Sequence, residues 1–258
     1  MNTIRLGYID LSFHAASAAV VQRVLERDGN IVESIAAPHE AMFKKYGSRE
    51  VDMLVSAWLP GSHGAYLEPY VEDTRYLGVL YEPYCIWGVP DFVPAEIVSS
   101  VRDLTKPEVA QRMEKLIRGI NPGAGISRFS KEIISAYALE AHGYYFETGD
   151  EEGCYSRFED GVARNTWMVI PLWKPQFLHY RYRIRELTEP RGLLRGRDKA
   201  ILIAHASCVK EFSPQLLTTL TSLSLGNEVV ATLDYWIRRE GMSALAAADR
   251  WLSSTRGI

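Results

Sequence analysis

The chain has 258 residues and a net charge of −3, with 47% hydrophobic and 24% charged residues. That is a globular balance, with length for one large domain or two lobes and no net field that would draw nucleic acid or an anionic membrane. No apolar run approaches the roughly 20 residues of a membrane-spanning helix.

The first residues, Met1-Asn2-Thr3-Ile4-Arg5-Leu6-Gly7-Tyr8, read as the start of a strand. They lack the charged region, apolar stretch and small-residue cleavage site of a signal peptide. The expectation is a protein whose signal has been removed or one that stays in the cytoplasm. Residues 4–10 form a short apolar run, and 15–27 place Ala16, Ala19, Val20, Val24 and Leu25 at helical spacing before Gly29. Residues 30–36 read as a second strand, 39–46 as a short helix stopped at Gly47, and 51–57 as a buried strand. Strand, helix, strand, helix, strand predicts a parallel sheet covered by helices. Further on, 84–89 reads as a strand, followed by a polar helical region up to 118. A helix is expected over 127–142, capped by Gly143, and a strand over 167–172. Alternation in Tyr180-Arg181-Tyr182-Arg183-Ile184-Arg185 predicts a half-exposed strand with a solvated face. A strand over 200–204 and helices over 213–223, 227–240 and 242–252 complete the chain, with Trp236 and Trp251 as packing residues.

Two tryptophans stand before rigid turns, in Trp58-Leu59-Pro60-Gly61-Ser62-His63 and in Trp173-Lys174-Pro175. Proline fixes its own φ, removes a donor and restricts the residue before it. Two indoles held on stiff loops suit an electron-rich wall for a quaternary ammonium, which no hydrogen-bonding group can satisfy. Taken singly, each indole also fits a hydrophobic core. Asn121-Pro122-Gly123-Ala124-Gly125-Ile126 stands just before a predicted helix. Its glycines let the backbone approach a ligand, and the first helical amides carry partial positive charge without an intrahelical partner. That is an anion site, although it lacks the Lys-Ser/Thr of a phosphate loop. His63, five residues after Trp58, adds a donor for the same anion; on its own it also fits a turn histidine satisfied by backbone. A cation wall and an anion cradle together describe a zwitterion such as a betaine.

The chemistry expected of the chain is binding alone. Cys85, Cys154 and Cys208 are far apart with no CxxC, and the six histidines show no zinc spacing. No cofactor or metal is expected. Cys154 follows the acidic Asp150-Glu151-Glu152, which would raise its thiol pKa. No nucleophile elbow or paired-carboxylate spacing is present, so an enzyme is not expected.

In their order along the chain, Trp58-Leu59-Pro60…His63, Asn121-Pro122-Gly123-Ala124-Gly125-Ile126 and Trp173-Lys174-Pro175…Phe177 resemble the motifs of glycine betaine/choline-type substrate-binding proteins of ABC importers. Leu6-Gly7-Tyr8, Glu189-Pro190-Arg191-Gly192 and Ala247-Ala248-Asp249-Arg250-Trp251 are similar too, so the resemblance covers nearly the whole chain. It implies a bilobal α/β fold of the periplasmic-binding-protein type II, with two α/β lobes joined by a two-segment hinge and closing like a clamp. Residues 1–88 with 196–258 would form one lobe and 89–195 the other. The resemblance makes Trp58 and Trp173 cage walls, and gives the ligand carboxylate to His63 and the amides of Gly125 and Ile126. The chain also departs from the pattern. Where many members carry a third cage tryptophan after the opening strand, it has Leu11 with Phe13 nearby. Ala124 stands where others place a tryptophan in the PGxG turn, and Phe177 replaces the second aromatic of Trp-x-Pro-x-Trp. Phe13, Tyr84 and Trp87 are the candidates for the third wall. The implied partners are a betaine-like quaternary amine and the membrane subunits of an ABC transporter, with no nucleic acid. The implied location is periplasmic or at the cell surface. The alternative places the same clamp in a cytoplasmic ligand-sensing or partner-binding domain.

Overall fold

The computed structural model describes residues 3–254. Met1 and Asn2, read above as the beginning of the first strand, lie outside them. The opening alternation forms as the apolar pattern predicts: β1 (Thr3–Ile9), α1 (Ser12–Arg27), β2 (Ile31–Ala37), α2 (His39–Gly47) and β3 (Met53–Leu59). Helix α1 buries the predicted face of Ala16, Ala19, Val20, Val24 and Leu25, and Gly29 at φ 85° lets the chain leave the helix. After α3 (Gly64–Leu67) comes β4 (Thr74–Tyr81), a strand the periodicity did not announce.

Strand β5 (Tyr84–Pro90) follows. The stretch expected to be one polar helix up to 118 instead breaks into a 3-10 turn (Val101–Thr105), α4 (Pro107–Arg112) and β6 (Leu116–Arg118). A capping box at Ser100 and Asp103 closes the 3-10 turn, and Pro107 starts α4 where its missing N–H costs nothing. Helix α5 (Gly125–Ala136) starts two residues earlier and stops earlier than predicted. Ala138 at φ 50° breaks it ahead of a 3-10 turn (Leu139–His142) that ends at Gly143, φ 84°.

Next come β7 (Tyr145–Glu147) and α6 (Glu151–Ala163), neither of which was predicted. The acidic stretch around Cys154 is the start of α6. The Asp150 carboxylate accepts from Gly153 N at 2.6 Å, and Glu151 and Glu152 lie in the first turn, where negative charge suits the helix dipole. Cys154 is buried in this helix, and burial pushes its thiol up to about 12. Strand β8 (Ile170–Lys174) leads to α7 (Leu178–Arg181) and β9 (Ile184–Glu186). The predicted strand over 180–185 is therefore divided: a helical turn closes with Tyr182 N donating to Leu178 O at 2.8 Å, and only 184–186 pair as strand. The chain ends with β10 (Lys199–His205), α8 (Ala206–Val209), α9 (Pro214–Ser222), α10 (Gly226–Arg239) and α11 (Ala244–Ser254). Trp251 is buried as expected, whereas Trp236 is half-buried with the Arg250 guanidinium 4.1 Å from its ring centroid.

The chain divides into two units: Met1–Pro83 with Pro175–Phe177 and Asp198–Ile258, and Tyr84–Lys174 with Leu178–Arg197. The first unit holds a five-stranded sheet, order β2-β1-β3-β10-β4. As predicted, β1 runs parallel to β2 and β3; β10 runs antiparallel to β3 and β4. Helices α10 and α11 pack on α1. The second unit holds an antiparallel sheet, order β8-β5-β9, and a parallel pair of β6 and β7. Helix α5 packs on β5 and β8.

One buried carboxylate ties the first unit together. Asp234 on α10 accepts from Ser12 Oγ at 2.5 Å at the start of α1 and from Phe177 N at 3.0 Å. Burial outweighs these two bonds and the nearby Arg238 and Arg239, and raises its pKa to about 6. An unfolded aspartate titrates near 3.9. Below that value the group is protonated in both states and its contribution is fully present. That contribution is lost as pH rises through about 6, because the folded state must then hold a buried charge. Two pKa units correspond to about 3 kcal/mol. Urea unfolding of wild type and Asp234→Asn between pH 4 and 7 should show the wild type losing about that much relative to the variant. Parallel pH profiles would contradict this account of Asp234.

Candidate functional site

In the first unit, β3 and the turn that follows it carry Trp58 and His63. Trp58 is a strand residue rather than a loop residue, which corrects the expectation of an indole on a stiff turn. Just before it, the pairing of β10 with β3 shifts register between Ile201 and Ile203, and Ser56 adopts φ 63°. This bulge brings Ser56 Oγ within 2.5 Å of Tyr81 Oη. The indole Nε1 of Trp58 donates to both, at 3.1 Å to Ser56 Oγ and 3.0 Å to Tyr81 Oη. The ring is thereby pinned in one orientation. Phe13 and His14, in the first turn of α1, have ring centroids 5.5 Å from that of Trp58. His63 stacks at 6.0 Å and 22°, and Tyr81 meets the indole edge-on at 6.3 Å and 88°.

The Trp58–His63 spacing has a physical cause. His63 N donates to Trp58 O at 2.8 Å, and Trp58 N donates to His63 Nδ1 at 2.9 Å. Accepting at Nδ1 places the ring proton on Nε2, which makes that nitrogen a donor. The Asp198 carboxylate holds the intervening turn by accepting from Gly61 N at 2.6 Å and Ser62 N at 3.0 Å. Beside this pair His14 stays uncharged: burial, and secondarily His39, hold it well below the ordinary imidazole range.

In the second unit, Trp173 lies in β8 and is likewise a strand residue. Cys85 pairs with Trp173 and Trp87 with Pro171, so Trp173 and Trp87 share one face of the sheet. Helix α5 packs on this sheet, and Trp87 Nε1 donates to Ser130 Oγ of α5 at 2.8 Å. Tyr155 of α6 stands 6.2 Å from Trp173 at 55°. Tyr84 pairs with Lys174 and faces the other way. The guanidinium of Arg197 lies 4.3 Å from its ring centroid, and its hydroxyl donates to Glu186 at 3.2 Å.

Helix α5 opens at Gly125. Ala124 is extended, offers no side-chain cap, and its carbonyl accepts from Ser127 N at 3.1 Å and Arg128 N at 3.2 Å. The amides of Gly125 and Ile126 precede the first intrahelical donors and keep the partial positive charge of the helix start. The motif beginning at Glu189 works at the other end of this helix. Its carboxylate accepts from Tyr137 Oη at 2.5 Å, from Arg191 N at 2.9 Å and from Leu193 N, while Arg191 donates to Ala136 O.

Phe13, Trp58 and His63 are thus gathered on the first unit, and Trp87, Trp173, Gly125 and Ile126 belong to α5 and the sheet it covers. Sequence reasoning missed Ser56, Tyr81 and His14 on the first unit and Tyr155 on the second. Among the described residues no group of three His, Cys, Asp or Glu side chains is arranged to hold a metal, and no helix is long and apolar enough to cross a membrane.

The fold is mixed α/β, that of type II periplasmic binding proteins. It is similar to lactococcal OpuAC in its closed-liganded conformation complexed with glycine betaine, with TM-score 0.85 and 21% identity over 98% of this chain and 96% of that one. The glycine/betaine/L-proline-binding protein ProX from Borrelia burgdorferi matches with TM-score 0.86 and 21% identity, covering 98% and 93%. An ABC-transporter choline binding protein in complex with choline matches with TM-score 0.83 and 17% identity, covering 98% and 88%. No curated protein matches the sequence. The family model OpuAC, the substrate binding domain of ABC-type glycine betaine transport systems, matches residues 2–254, and the chain belongs to that family.

Proposed function

We propose that this domain binds a small betaine-like zwitterion outside the cytoplasm and hands it unchanged to the membrane subunits of an ABC importer. The methylated ammonium lies against Trp58 and Trp173, with Phe13 as the third wall. The carboxylate is held by His63 Nε2 and by the amides of Gly125 and Ile126. The observation that carries this reading is the locked pair of Trp58 and His63. An indole pinned by Ser56 and Tyr81 sits beside an imidazole whose proton is fixed on Nε2. A cation wall and an anion donor are prepared side by side, before any ligand arrives.

Of the other wall candidates, Tyr84 has its π-face already covered by Arg197 and is not part of the proposed cage, and Trp87 shares the sheet face of Trp173 with its N–H on Ser130 of α5. Cys154 is unsuited to nucleophilic chemistry, being buried with its thiol pushed up to about 12. A thermal-shift screen over betaines, choline, carnitine and less methylated amino acids tests the reading, since a ligand of the folded state raises the melting point. Methylated amino acids should raise it and simple sugars should not. A flat response to every amine would contradict it.

A further inference from the structure

On the wall around Trp58 one polar atom is left over. His14 is 1% exposed, and its Nδ1 makes no hydrogen bond among the described residues. Its ring centroid lies 5.5 Å from that of Trp58, 4.4 Å from Phe13 and 6.1 Å from His63. The neighbouring polar groups are committed: the indole N–H to Ser56 and Tyr81, and His63 Nδ1 to the backbone of Trp58. A neutral imidazole has one N–H and one lone pair to satisfy, and in the tautomer that carries its proton on Nε2 the unpartnered Nδ1 is an acceptor. Buried polar atoms of folded proteins are paired in about 90% of cases or more, so an orphan inside a recognition wall points to a ligand atom.

The chemistry of that atom can be narrowed. A trimethylammonium group offers methyl hydrogens only and would leave the imidazole acceptor unpaired in a dry site. An ammonium that retains an N–H can donate to it while its methyl groups and charge remain on the indole. We propose that His14 is a specificity-determining ligand contact that favours amino acids whose ammonium keeps an N–H, such as dimethylated or monomethylated glycine, over the trimethylated form. This rests on the reading of Trp58 as the cation wall.

Titration calorimetry at pH 7 with glycine betaine and N,N-dimethylglycine decides it, using wild type and His14→Phe, which keeps a ring and removes the acceptor. Wild type should bind N,N-dimethylglycine at least as tightly as glycine betaine. In the variant, the ratio should move about tenfold or more towards glycine betaine. A tenfold preference of wild type for glycine betaine overturns the assignment, whether or not the variant folds. A ratio unchanged by His14→Phe overturns it as well, leaving a bound water as the partner of Nδ1. In either result glycine betaine still binds, and the reading of the wall survives. Binding of neither amine by wild type overturns both.

Discussion

Trp58→Leu and Trp173→Leu each weaken glycine betaine binding by about 30-fold or more. An aromatic face is worth about 2 kcal/mol to a desolvated cation, and that energy converts to this factor. Leucine keeps apolar bulk and removes the π-face. Alanine is a poorer probe, because Trp58 and Trp173 are 5% and 1% exposed. Truncating a buried tryptophan to alanine costs about 3–5 kcal/mol of stability, so lost binding and lost folding would be confused. At position 58 leucine leaves no stranded polar group, since Ser56 Oγ and Tyr81 Oη already bond each other. Calorimetry beside a thermal melt separates the two effects. Variants that melt cooperatively and bind glycine betaine as tightly as wild type would remove these indoles from the site.

His63→Asn should weaken glycine betaine by roughly 10- to 100-fold and leave choline unchanged. The side-chain oxygen of asparagine takes the place of Nδ1 and accepts from Trp58 N, so the turn is kept. What disappears is the Nε2 donor, and a hydrogen bond to a charged group is worth about 1.5–3 kcal/mol. Choline has a hydroxyl where glycine betaine has a carboxylate, so it reports on the cation wall alone. Equal losses for both ligands would show that His63 serves the turn and not the anion.

The fold was legible wherever one apolar period ran uninterrupted. Ala16, Ala19, Val20, Val24 and Leu25 followed by Gly29 announce α1, and the buried run before Trp58 announces β3. Helix α6 carries a helical stripe of Cys154, Tyr155, Phe158 and Gly161 with Asp150 at its cap, but the acidic residues of its first turn mask the apolar period. The arginine alternation over 180–185 misled, since three paired residues are too few to carry a period-two signal against a local turn. Spacing singles out the two tryptophans and His63 and puts both indoles on loops, whereas both lie in strands. Which way Tyr84 points depends on its pairing with Lys174, which no local pattern encodes. Ser56, Tyr81 and His14 escaped notice for a related reason. A left-handed serine at a bulge and a tyrosine from another strand become neighbours of Trp58 only after the sheet forms.

In the proposed complex a single ammonium group touches the indoles of both Trp58 and Trp173. NMR of the protein with glycine betaine carrying 13C-labelled methyl groups tests this directly, with indole signals assigned by their loss in Trp58→Leu and Trp173→Leu. The account predicts cross-relaxation from the bound methyl groups to the ring protons of both Trp58 and Trp173. Cross-relaxation to only one of those rings, or to neither while the ligand is bound, would contradict it.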